Sequence, residues 1–131
     1  MPKKQFFLIV DTESTIKDTA ADFGAVVCDR HGKIFAQIGV LVHGHYGTHD
    51  LFFDKHSKDE IWTKNGLKAR NDAYVKMLET GQRSLASVGA VNRWLEKASA
   101  LYSPELTAYN LAFDDRICKN TGIDLTLFPK R

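Results

Sequence analysis

The chain has 131 residues, 44% of them hydrophobic and 26% charged, with a formal net charge of +2. Those proportions exclude disordered and collagen-like classes and suit one domain, residues 1–131, with a core of its own. The charge is too small to mark a nucleic-acid binder, so any such partner has to be argued from a site. Only five apolar residues, Phe6 to Val10, precede Asp11, and no run approaches membrane-spanning length. A signal segment and a membrane span are therefore not expected, and the chain reads as soluble and cytoplasmic with no membrane partner. Cys28 and Cys118 match no metal or redox spacing. Two buried thiols in a reducing compartment are the expectation, with a disulfide as the alternative.

Phe6 to Val10 is a continuous apolar run, as a strand buried on both faces requires, and it ends at Asp11-Thr12-Glu13. Phe23 to Cys28 and Lys33 to Val42 flank Asp29-Arg30-His31-Gly32, which reads as a hairpin. In the second of these strands Ile34, Ala36, Ile38, Val40 and Val42 share one face, with Phe35 and Leu41 on the other. His43 to Lys55 breaks the pattern and reads as a loop. Ser57 and Glu60 fit a capping box that starts a short helix. Leu67, Arg70, Tyr74, Met77 and Leu78 recur at helical spacing, with Gly81 as the stop. A further helix is expected to be capped by Ser84, with Leu85, Val88, Val91, Leu95 and Ala98 on one stripe and Ser103-Pro104 at its end. Leu106 to Tyr109 is a strand candidate, Asn110 to Ala112 a loop, and Phe113 to Thr121 a helix closed by Gly122. Three early strands and a helical crossover to a fourth describe a mixed α/β sheet with helices packed on it.

The residues with chemistry in them are Asp11, Glu13 and Asp114. Side chains two apart in an extended segment point the same way, so Asp11 and Glu13 can present both carboxylates to one point. Acids that close repel unless a cation sits between them, and hard divalent ions such as Mg²⁺ and Mn²⁺ prefer oxygen ligands. Asp114 follows the later strand near a helix start, where strand ends that are neighbours in the sheet would bring it to the same place. The plainer reading is that a strand-ending Asp is common and that an acid near a helix start gains from the macrodipole.

Phe6-Phe7-Leu8-Ile9-Val10-Asp11-Thr12-Glu13-Ser14-Thr15 resembles the first motif of the DEDD 3′–5′ exonuclease superfamily, a hydrophobic strand delivering Asp-x-Glu. Ala108-Tyr109-Asn110-Leu111-Ala112-Phe113-Asp114 is similar to its second motif. The two in this order look like the DEDDh branch, that of ribonuclease T and of the proofreading exonuclease subunit of bacterial DNA polymerase III. The resemblance implies a ribonuclease-H-like sheet and two-metal hydrolysis at the 3′ ends of single-stranded DNA or RNA. It makes Asp11, Glu13 and Asp114 the catalytic Mg²⁺ or Mn²⁺ ligands. It also puts Thr12, Ser14, Thr15, Ile16, Asn110 and Phe113 around the terminal nucleotide. A DNA polymerase partner is a further implication that no residue here addresses. A non-catalytic nucleic-acid-binding module of the same fold is the alternative.

The branch also has a third motif, His-x-x-x-x-Asp, tens of residues after the second. Here 17 residues follow Asp114, none of them a histidine. The expectation is a C-terminally incomplete domain, weakly active or inactive, whose uncovered sheet face is hidden by self-association or by its own tail, Ile123 to Phe128. Three weaker signals remain. His43, His45, His49 and His56 crowd one segment, where a solvated loop is favoured over a transition-metal site. Lys55, Lys58, Lys64, Lys68 and Arg70 form a basic stretch read as a solvated helix face ahead of a phosphate track. Trp94 reads as packing ahead of base stacking.

Overall fold

The structure, a computed structural model, describes residues 5–51 and 68–130. Its elements are β1 (Phe6–Ser14), β2 (Ala20–Asp29), β3 (Ile34–Val42), α1 (Lys68–Thr80), β4 (Ser84–Ala86), α2 (Val88–Tyr102), β5 (Glu105–Thr107) and α3 (Leu111–Thr121). They form a mixed α/β arrangement with one five-stranded sheet in the order β4-β3-β2-β1-β5. The β1–β2 and β2–β3 pairs are antiparallel, whereas β5 joins β1 and β4 joins β3 in parallel. Each parallel pair follows a helical crossover, as parallel neighbours require. Among the described residues no helix is long and apolar enough to cross a membrane.

The main core lies on one face of the sheet. Leu8 and Val10 of β1, Phe23, Ala25 and Val27 of β2, and Val40 and Val42 of β3 pack there against Val91, Leu95 and Ala98 of α2 and Ile117 and Cys118 of α3. Alternation along the strands puts these side chains on one side, and burying each of the larger ones contributes about 1.5–3 kcal/mol. On the opposite face Leu41, Leu51 and Tyr74 form a smaller cluster, joined by Met77 and Leu78 of α1. The rest of that face, around Ile9 and Asp11, is open, and Ile9 is 41% exposed.

Several boundaries differ from expectation. Strand β1 does not end at Val10 but runs on to Ser14, so Asp11 and Glu13 lie within a strand, opposite Gly24 and Asp22. Charged residues are tolerated there because their side is the open one. Ser84 does not cap α2; Ser84–Ala86 pairs with Val40–Val42, and Ser87 is the N-cap, its hydroxyl accepting from Ala90 N at 3.0 Å. Both serines suit a cap, and the unsatisfied edge of β3 takes the first of them into the sheet. Leu85 is accordingly exposed, not part of the stripe. Ile34 also leaves its expected face, because the β2–β3 register slips between Val27 and Cys28. Strand β5 is shorter than expected, and α3 starts two residues earlier, at Leu111. Gly81 and Gly122 stop their helices in the left-handed region, as anticipated. Both cysteines are free and buried, and Trp94 packs against the main core. The expected helix beginning at Ser57, Trp62 and the lysines at 55, 58 and 64 lie outside the described residues.

The tail does not cover the open face. Ile123, Leu125 and Phe128 are buried with α2 and α3 in the main core, and Pro129 O accepts from Leu106 N at 2.7 Å along the edge of β5. Leu95 is wholly buried, whereas Leu101 on the same helix is 73% exposed. Leu95→Ala is expected to cost about 2–5 kcal/mol in urea unfolding, and Leu101→Ala to stay within about 0.5 kcal/mol. Equal effects would mean that α2 does not bury the stripe described.

Candidate active site

Strand β1 carries the first motif and α3 the second, and one carboxylate joins them. Thr12 donates to Asp114 Oδ1 twice, from its backbone N–H at 3.1 Å and from its hydroxyl at 2.7 Å. The local reason lies in the length of β5. It pairs with β1 only from Phe7 to Ile9, and the chain then turns into α3. Among the described residues no strand lies on the outer side of β1 beyond Ile9, and Asp114 supplies the acceptor a longer strand would have given. Asn110 caps α3, its side-chain oxygen accepting from Phe113 N at 3.4 Å and its backbone oxygen from Asp114 N at 3.1 Å. At the other end of the helix Thr121 Oγ1 accepts from Ala20 N at 2.7 Å. The helix is thus pinned to the sheet at both ends.

Asp11 and Glu13 stand on the open side of β1, with Thr12 between them facing α3. Asp11 is exposed, Glu13 half-buried and Asp114 buried. Burial raises the Asp114 carboxyl above its ordinary value, the Thr12 hydroxyl opposes the rise, and the negative charge of Asp11 adds to it. Among the described residues, no group of three or more His, Cys, Asp or Glu side chains is arranged to hold a metal ion. One oxygen of Asp114 is committed to Thr12, and Asp11 is near enough to act on its charge, but the three acids form no ready-made cage.

A cavity of about 390 Å³ opens beside Glu13, lined by Thr12, Glu13, Ser14, Asn110 and Phe113; Asp11 and Asp114 do not line it. Five of the residues expected at the site thus meet around one space. Thr15 and Ile16 do not line it. Thr15 is wholly buried, its hydroxyl 2.7 Å from that of Thr19, and Ile16 N donates to Asp50 O at 2.9 Å. They build the turn after β1. Two further lining residues, Asp18 and Arg116, had not been anticipated. The Arg116 guanidinium lies over the Phe113 ring at 5.6 Å and its Nη2 is 4.0 Å from Asp18 Oδ1. The helical offset of three between Phe113 and Arg116 was the available signal; Asp18 is brought in by a left-handed turn with φ 56°.

Burial, with Asp114 and Asp115 nearby, pushes the Cys118 thiol up to about 12. The histidine segment runs beside the turn after β1, where Leu51 bridges Thr15. His45 and Asp50 stand five apart, the offset of the third motif, but upstream of the second. Burial lowers the His45 value, His49 lowers it further, and His45 Nδ1 is buried without a hydrogen-bond partner among the described residues.

No protein-family model matches this chain, and no curated protein or solved structure does.

A carboxyl whose folded pKa is raised favours folding when protonated. Its contribution is complete below the unfolded value of about 3.9 and is lost as pH rises through the higher folded value. Asp114→Asn keeps an acceptor for both Thr12 bonds and removes the titration. In metal-free buffer its urea midpoint is expected to fall less than that of the wild type as pH rises from 4 to 7. Parallel curves would show that burial does not govern this carboxyl.

Proposed function

We propose that the chain is a metal-dependent 3′–5′ exonuclease domain of the DEDD type, with a ribonuclease-H-like fold, hydrolysing phosphodiester bonds at nucleic-acid 3′ ends. The observation that carries the reading is the Thr12–Asp114 pairing. It fastens the second-motif helix to the first-motif strand at the residue between Asp11 and Glu13. Within the five-stranded sheet, the antiparallel β1–β2–β3 meander with β5 parallel to β1 after a crossover supports that fold.

The donors are all carboxylate oxygens, the chemistry that suits Mg²⁺ or Mn²⁺. Asp11, Glu13 and Asp114 would hold the ion, with Asp114 offering the oxygen not engaged by Thr12. When bound, such ions activate a water and stabilise the leaving oxygen. The chain's own residues do the rest. The cavity edged by Phe113 and Asn110 receives the terminal nucleoside, and the Phe113 ring gives its base an apolar surface. Thr12 and Ser14 supply the wall on the strand side.

The second reading, a binding module without catalysis, draws on the commitment of Asp114 Oδ1 to Thr12. Mn²⁺ titration and 3′-labelled single-stranded DNA separate the two. The nuclease reading expects Mn²⁺ binding that Asp11→Ala and Asp114→Ala weaken, and trimming from the 3′ end that Asp11→Ala abolishes. DNA binding with no trimming at any enzyme concentration supports the module. Metal binding indifferent to both substitutions sinks the nuclease.

A further inference from the structure

We propose that Arg83 is a phosphate-binding residue, gripping single-stranded nucleic acid one or two nucleotides upstream of the bond presented to the carboxylates. The inference rests on the nuclease reading and adds the path of the strand.

Asp11, Gly24 and Gly39 stand side by side across β1, β2 and β3. Two glycines in register leave a floor without side chains on the open face, in a cleft of about 450 Å³. Asp11 closes one end of the row. At the other, about 10 Å away by the spacing of strands, the Arg83 guanidinium lies flat across Gly39. Its Nη1 and Cζ are 2.6 and 2.9 Å from the point a Cβ would occupy there. Only glycine leaves room for it.

The guanidinium is held in place. Arg83 Nε donates to Asp22 Oδ1 at 3.2 Å, and Asp22 Oδ2 accepts from the Tyr74 hydroxyl at 2.9 Å. Asp22 sits near the start of β2 and α1 brings Tyr74 over it, while the left-handed Gly81 turns the chain so that Arg83 follows. Among the described residues neither Nη group has a hydrogen-bond acceptor, and the side chain is 29% exposed. An arginine tethered through Nε still presents two Nη groups, the fork that meets phosphate oxygens in pairs. Gln37 and Gln82 line the same cleft and add amide donors. The cleft thus carries an acid at one end and neutral donors with a fixed cation at the other. That polarity suits a chain whose reacting bond lies at the acid and whose next phosphates run toward the cation.

The test is fluorescence anisotropy of the full chain with 5′-labelled oligothymidylates of two and of four or more nucleotides, their 3′-terminal linkage a phosphorothioate that resists hydrolysis, in Mg²⁺ and over a range of salt. Arg83→Gln is expected to reduce by about tenfold the affinity gained on lengthening. It should also lower the slope of log K against log salt by about 0.7, the share of one phosphate on a single strand. Arg83→Lys should keep the slope and lose part of the affinity. Gly39→Ala puts a methyl group where the guanidinium lies without removing its charge; it should reproduce the length-dependent loss and decides the matter if Arg83→Gln fails to fold. Equal losses at both lengths, or an unchanged slope, overturn the proposal and leave the nuclease reading standing. A wild-type chain that binds no oligonucleotide overturns both.

Discussion

A peptide N–H buried beside a strand must find an acceptor, and in this fold that requirement falls on Thr12. Strand β5 runs beside β1 for three residues and then leaves the sheet. The Asp114 carboxylate steps into the vacancy and takes the Thr12 hydroxyl as well. The cost is a buried acid, visible in its raised pKa. The return is that α3 has one orientation. Asn110, Phe113 and Arg116 are carried to their places by the same constraint, since each is fixed on the helix that Asp114 anchors.

Around that joint the two faces of the sheet divide the work. One face is apolar and covered by α2, α3 and the tail. The other carries Asp11, Glu13 and Asp22, with α1 packed at the end marked by Leu41 and Tyr74. Alternation along β1 makes both possible in one segment: Leu8, Val10 and Thr12 point inward, while Ile9, Asp11 and Glu13 point outward. A slip of one residue would bury the acids and expose the core.

The sheet-and-helix plan was legible because its signals are local. Apolar runs gave β1, β2 and β3; glycines with forced left-handed backbone gave the ends of α1 and α3. The errors came where two elements compete for one segment. Ser84 and Ser87 are both competent caps, and only the open edge of β3 decides between them. The apolar run ended at Val10, but the ladder with β2 continued through the acids, since hydrophobicity reports burial and not backbone pairing. At the site, the Asp-x-Glu spacing announced Asp11 and Glu13 as companions. The attachment of Asp114 to Thr12 was invisible, being set by where β5 stops. Arg83 and its glycine floor were equally hidden, because register across three strands is not written in any one of them.

The connection between β1 and α3 also bears on the order of assembly. Thr12 and Asp114 are 102 residues apart, and Ala20 and Thr121 are 101 apart. The β1–β2–β3 meander closes through short turns, whereas every contact that brings the second motif to the first closes nearly the whole chain. Loop entropy rises slowly with length but must be met before such contacts reward it. A chain emerging from the ribosome can therefore complete the meander early, with Asp11 and Glu13 already side by side, and has to wait for α3 before the third acid arrives. Until then the inner face of β1 is open to the wrong neighbours, and the speed of that last closure sets how long the exposure lasts.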